Sequence, residues 1–502
     1  MCRGVAPVNV ARRTDMVARR VLTKTFLLAL VFVPALMPAA SVDACFSIVV
    51  GKDASADGYV IMAHNEDDGS PQIVNHHKVP RRKYSPGEKV ILRNGGELDQ
   101  VPETWAYIWS EMPGMIFSDS YINEWGVGVT SDNCPSREDR PEITDGGIGY
   151  MLRALVAQRA GTAREGVLLA GKLVERFGYI DSGRTYIICD PDEGWLFCVV
   201  NGKHWLAKRV ADDKVAMVAN TYTVREVDPA DGDNCLASAD IVEYAKSRGW
   251  YDPQDDGPFD FAAVYANPGS AVHPSNLGRQ RGGLNYVCAE PIPAGGELPF
   301  SVAPRSKVSP AKIMQVLRHD NKAKTSESSD GPEEGICRIC NGGTQTSFVA
   351  QLRRGMPLDI GIVYWVCLAM PRTSFYIPFH FGVSDFPAGF CSKSQRPSMP
   401  FYQSKVDSPF KADSLQAFWT FSNFRDKVDG AEADVAELTR IRAEQIEKSA
   451  FAAQRAIEEA ACRVHAQDKT ATAQTLANYS NGIYMSSLEA MEGIVNRIAG
   501  AQ

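Results

Sequence analysis

Val42-Asp43-Ala44-Cys45-Phe46-Ser47-Ile48-Val49-Val50-Gly51-Lys52 is the stretch on which the reading of this chain turns. Before it stand Arg19, Arg20 and Lys24, then the apolar run 26–37, then Ala39-Ala40-Ser41. That order of basic, apolar and small residues is the pattern of a secretory leader, with Val42 and Ala44 at the −3 and −1 positions of a cleavage site. Removal of residues 1–44 makes Cys45 the first residue of the mature chain. Its thiol then sits beside a free α-amine, so that a nucleophile and a base share one residue.

Downstream, Cys45–Lys52 is a β-rich apolar run, and Asp53-Ala54-Ser55-Ala56-Asp57-Gly58 supplies turn residues. Tyr59–His64 reads as the returning strand of a hairpin. With the turn centred between Ser55 and Asp57, the register sets Cys45 opposite Asp67. A shift of one residue would move that side chain to the other face. Further along, Met115–Ile122 reads as a strand leading into the turn Asn123-Glu124-Trp125-Gly126 and then Val127–Thr130. Residues 149–160 and 162–177 read as amphipathic helices, and 185–200 as a hairpin. Residues 321–335 are polar and read as an exposed loop. From about Gly430 the apolar residues Val435, Leu438, Ile446, Ala450, Ala453 and Ile457 recur at helical spacing. Mixed strands and helices of this kind indicate α+β layering.

The chain has 502 residues and a net charge of −7. The leader is basic, so the remainder carries about −11, which argues against nucleic acid or an anionic membrane as partner. Past the leader no apolar run reaches the roughly 18–20 residues that span a bilayer. There are twelve cysteines. Their pairing cannot be read from spacing. Cys337-Arg338-Ile339-Cys340 is a lone C-x-x-C without the second ligand pair a zinc site needs, so no metal or cofactor is expected. His76-His77 and His273 read as solvated or structural residues.

Cys45-Phe46-Ser47-Ile48-Val49-Val50-Gly51-Lys52, with Ala54-Ser55, Asp57-Gly58 and Asn65-Glu66-Asp67, resembles the mature start of the secreted cysteine dipeptidases. These form peptidase family C69, N-terminal nucleophile hydrolases related to choloylglycine hydrolase and penicillin V acylase. The likeness continues through Asn123–Val127, Ala219-Asn220, Arg279–Gly282 and Val363-Tyr364-Trp365. The resemblance implies a four-layer αββα sandwich. It implies three domains' worth of chain: a signal peptide 1–44, a hydrolase domain 45–425 and a C-terminal helical extension 426–502.

It also implies site roles: Cys45 as nucleophile, Asp67 holding the α-amine, Asn133 and Asn220 as oxyanion donors, and Arg279 with Arg281 as its rival. Where relatives carry an arginine three residues before the aspartate, this chain has His64. A histidine with the reference pKa near 6.5 would assist the thiolate only when protonated. The expected activity is hydrolysis of dipeptides through a thioester acyl-enzyme, active only after leader removal, by a secreted or periplasmic enzyme, with a homo-oligomer left open. Two alternatives remain at this stage. One is an acylase or amidase acting on other linear amides. The other is a lipoprotein, since Val42-Asp43-Ala44-Cys45 also resembles a lipobox and would place lipid on Cys45.

Overall fold

A computed structural model of the chain describes residues 45–68, 74–112, 119–320, 338–391 and 414–500. Contacts divide the chain into Met1–Ser41 and Val42–Gln502, and every described residue lies in the second unit. Residues 115–118 of the expected strand, the expected loop at 321–335 and Cys337 of the C-x-x-C pair fall outside the described residues.

Two antiparallel sheets form the centre. Sheet I runs in the order Ser301–Val302, Val215–Val218, Phe46–Val50, Val60–Asp67, Thr344–Leu352, Ile362–Leu368, Ile377–His380. Sheet II has eight strands, from Cys235–Ala237 at one edge through Tyr179–Cys189 and Gly128–Asn133 to Asn75–Val79 at the other. Phe46–Val50 is β-branched and aromatic, lies mid-sheet, and is buried on both faces. Alternation sends Val49, Val60 and Met62 into the core between the sheets. Phe46, Ile48, Ile61 and Ala63 face outward, against the helices Pro274–Val287 and Pro310–Leu317. On the far side of sheet II, the helices Met151–Arg159 and Ala163–Phe177 cover a third core. The layering is therefore helix, sheet, sheet, helix, as the resemblance implied.

The helical periodicity noted from Val435 onward corresponds to Ala433–His465. A second helix, Lys469–Gly500, folds back against it. The first is bound to the body by buried ion pairs. Arg318 donates to both carboxylate oxygens of Glu447, at 2.5 and 2.8 Å. Arg353 does the same to Glu458, at 2.5 and 2.8 Å.

The first hairpin departs from the expected register. Phe46 pairs with Asn65 and Val50 with Ile61, so the next position sets Cys45 opposite Glu66, not Asp67. The cause is the turn. It begins at Gly51, whose carbonyl accepts from the amides of Ala54 and Ser55 in one helix-like turn. Only then does it reach Gly58, at φ +74°. The loop is thus centred half a residue earlier than its Asp-Gly signal suggests. On the other side, Thr344 pairs with Asp67 and Thr346 with Glu66, which leaves Gln345 as a bulge.

Candidate active site

Cys45 stands at the start of the mid-sheet strand and is 7% exposed. Its side chain faces the gap between the sheets, where Sγ donates to Glu66 Oε1 at 3.4 Å and to the Asp67 carbonyl at 3.8 Å. On its other side the strand pairs Ser47 with Val218, and two more positions bring Cys45 level with Asn220. Asn220 ends its strand in the left-handed region, at φ +52°, which asparagine tolerates better than most residues.

Arg279 ties these pieces together. It lies on the helix Pro274–Val287, which seats against the first strand because residue 283 is glycine. A Cβ there would fall 2.8 Å from the Phe46 ring and 2.6 Å from Met217 Sδ. The buried guanidinium donates to the Cys45 carbonyl at 3.1 Å and to Asn220 Oδ1 at 2.8 Å. It also donates to Asn276 Oδ1 at 3.0 Å. Because a guanidinium can only donate, the Asn220 oxygen must face it. The Asn220 amide nitrogen then donates to the Asn133 carbonyl at 3.0 Å, and its second hydrogen is not used by that bond. The Asn133 side-chain oxygen accepts from Ser182 at 3.1 Å. Arg281, the alternative, points to a surface loop and donates to the carbonyls of Pro293 and Gly296.

Asp67 accepts from Asn341 Nδ2 at 2.5 Å. Its side chain leans away from the gap, toward the outer face that also holds Asn65. Burial pushes its pKa up to about 6, against the lowering pull of Thr344, Arg279, Asn341 and His64.

A family model for peptidase family C69 matches residues 44–404. This chain belongs to peptidase family C69. A probable dipeptidase from Salmonella dublin is 29% identical over 377 residues, covering 72% of this chain and 86% of that protein. A probable dipeptidase from Latilactobacillus sakei is 26% identical, covering 68% and 75%. A probable dipeptidase B from Streptococcus pyogenes serotype M1 is 25% identical, covering 77% and 78%. Among solved structures, penicillin V acylase from Agrobacterium tumefaciens aligns with a TM-score of 0.33 at 14% identity, covering 67% of this chain and 86% of that one. A conjugated bile acid hydrolase from Clostridium perfringens aligns at 0.32 and 13%, covering 67% and 92%.

In this C69 peptidase the gap beside Cys45 holds more charge than the sequence reading foresaw. His64 is fully buried and pairs through Nδ1 with Asp119 Oδ1 at 2.9 Å. Its Nε2 lies 3.8 Å from Asp132 Oδ1. Asp132 Oδ2 accepts from Ser47 at 2.5 Å. Burial disfavours the His64 charge, but the Asp119 hydrogen bond and the fields of Asp119, Asp132 and Glu66 outweigh it and raise its pKa to about 9. His64 is therefore cationic through the neutral range. These surroundings run against the expected switch near neutrality, because the carboxylates around His64 favour its charged form.

Burial also raises Glu66 to about 7, with His64 pulling it back. Cys45 is pushed well up by burial and then by Glu66, Asp132 and Asp67, so it is held as a thiol. In the full-length chain its nitrogen is an amide and cannot act as base. Among the described residues, Cys45, His64 and Glu66 can bring three ligand atoms within 4.8 Å of one another.

Sequence reasoning missed Glu66, Asp119 and Asp132. Glu66 was one register step away, in the same acidic run as Asp67. Asp119 and Asp132 arrive from sheet II, with no local signal at either position. His76 and His77 are structural and buried. His77 pairs with Glu111 at 2.6 Å. The ten described cysteines are all unpaired. A cavity of about 900 Å³ lies by the C-terminal helices and is not lined by Cys45.

Proposed function

We propose that this C69 chain hydrolyses dipeptides with Cys45 as an N-terminal nucleophile, after removal of residues 1–44 on export to the periplasm or beyond. The observation that carries this reading is the Arg279 bridge. One guanidinium fixes both the Cys45 backbone and the asparagine that would face a reacting carbonyl. The names of the relatives from Salmonella dublin, Latilactobacillus sakei and Streptococcus pyogenes support the substrate class.

Cleavage would free an α-amine with a reference pKa near 8, to be held by Asp67. The amine takes the thiol proton and sulfur attacks the substrate carbonyl. Asn220 and Asn133 donate to the developing oxyanion. The amine returns the proton to the leaving nitrogen, and water then hydrolyses the thioester. Among the described residues no helix is long and apolar enough to cross a membrane.

The test is mass spectrometry of the exported protein's N-terminus, together with dipeptide turnover by wild type and Cys45→Ala. The expected result is a bare Cys45 terminus and no turnover by the variant. A different terminus, a lipid adduct, or hydrolysis that survives Cys45→Ala overturns the proposal.

A further inference from the structure

The carboxylate beside the nucleophile has one oxygen to spare. Glu66 is 3% exposed, and its Oε1 takes the hydrogen bond from the Cys45 thiol. Its Oε2 is buried and makes no hydrogen bond among the described residues. The nearby cation does not satisfy it. His64 Nδ1 stands 4.0 Å away and directs its hydrogen to Asp119 instead. Asp132, on the facing sheet, likewise keeps Oδ1 without a hydrogen bond among the described residues. A buried carboxylate oxygen left in this way costs free energy and points to a donor that arrives from elsewhere.

We propose that Glu66 anchors the N-terminal ammonium of the substrate and so restricts cleavage to the first peptide bond. The inference rests on the dipeptidase reading above and adds its specificity element.

Bond geometry supports the assignment. In a peptide the α-nitrogen lies two bonds, or about 2.5 Å, from the carbonyl carbon of its own residue. At attack the sulfur stands roughly 3–3.5 Å from that carbon. The ammonium of the residue under attack therefore falls within about 6 Å of Sγ. Glu66 Oε1 is 3.4 Å from Sγ, and the second oxygen belongs to the same carboxylate. An ammonium there can donate to Glu66 while its own carbonyl meets the nucleophile. Only the first residue of a peptide offers both groups at that spacing. A chain acylated on its nitrogen brings neither the charge nor the three hydrogens, and leaves the carboxylate facing an amide.

This differs from a role in activating Cys45, which would serve every substrate alike.

The experiment uses the processed enzyme and the fastest-cleaved member of a set of simple dipeptides, alongside its N-acetylated twin. The variants are Glu66→Gln, which keeps the shape and removes the charge, and Glu66→Asp, which keeps the charge on a shorter arm. Glu66→Gln is expected to lose on the order of 30-fold or more in kcat/KM on the free dipeptide, mainly through KM. On the acetylated twin, where only the contact of Glu66 with the Cys45 thiol is altered, the change should be clearly smaller, so the preference for a free amine narrows. Glu66→Asp should retain part of that preference.

Equal losses on both substrates, or a wild type indifferent to acetylation, overturn the inference and leave the dipeptidase reading standing. If the acetylated twin is not cleaved by any variant, the free dipeptide decides. A raised KM with kcat kept supports the anchor, and a fall in kcat with KM kept overturns it. A processed wild type that cleaves no dipeptide overturns both readings together. Coinciding thermal melting curves separate a lost anchor from a lost fold.

Discussion

Between the sheets, Glu66 and Asp132 each keep one carboxylate oxygen without a hydrogen bond among the described residues. Beneath the C-terminal helix, Glu447 and Glu458 commit both oxygens to guanidinium groups. Glu447 also accepts from the Tyr376 amide, and Glu458 from His380 and Gln454. Both regions bury charge, and only one satisfies it. A fully paired network holds elements in place, whereas a partly paired one is costly and persists where chemistry needs open valences. The fold thus concentrates its unsettled charge at the Cys45 end of the hairpin, and the long helix is held by charge that has nothing left to offer.

That contrast can be broken most forcefully at the helix. Glu447→Ala leaves Arg318 buried without its counter-ion, held by the carbonyls of Pro371 and Ser374, and should destabilise the protein by about 3–5 kcal/mol in chemical denaturation. A loss under 1 kcal/mol would mean the pair is not what docks the helix.

Next in size, Asn220→Ala should lower kcat by about 10²–10³ through loss of an oxyanion donor. Its melting temperature should move little by comparison. A variant that unfolds but keeps its rate per folded molecule would transfer Asn220 to the structural group.

A third test uses acid. Burial opposes ionisation of Glu458, but His380 and Arg353 override it and hold its pKa down to about 2, from 4.5. A carboxylate depressed on folding stabilises fully above its unfolded pKa. That stability is lost as pH falls from about 4.5 toward 2. The wild type should therefore lose stability over that window more steeply than Glu458→Gln, and parallel curves would remove Glu458 from the account.

The smallest effect is spectroscopic. Histidine NMR should place the His64 midpoint at about 9. A midpoint of 6–7 would restore the neutral-pH switch.

The hairpin, its alternating faces and the first C-terminal helix were legible because each depends on neighbours in sequence. Register was not, since one helix-like turn at Gly51 moved Glu66 into the place assigned to Asp67. Arg279 and Arg281 stand two positions apart and so on different faces of one helix. No spacing rule could choose between them, whereas their hydrogen bonds do. Asp119 and Asp132 come from a different sheet, and nothing near them in sequence marks that meeting. The His64 substitution was visible, but its consequence was not, because the charge of an imidazole is set by the carboxylates around it.

Gly283 shows how an absence can govern a reaction centre. A single extra methyl would strike the Phe46 ring and the Met217 sulfur, prising the helix off its bed. The guanidinium one turn away would then be dragged from the carbonyl it grips. The alignment of Cys45 is in this sense ground to tolerance by a hydrogen atom.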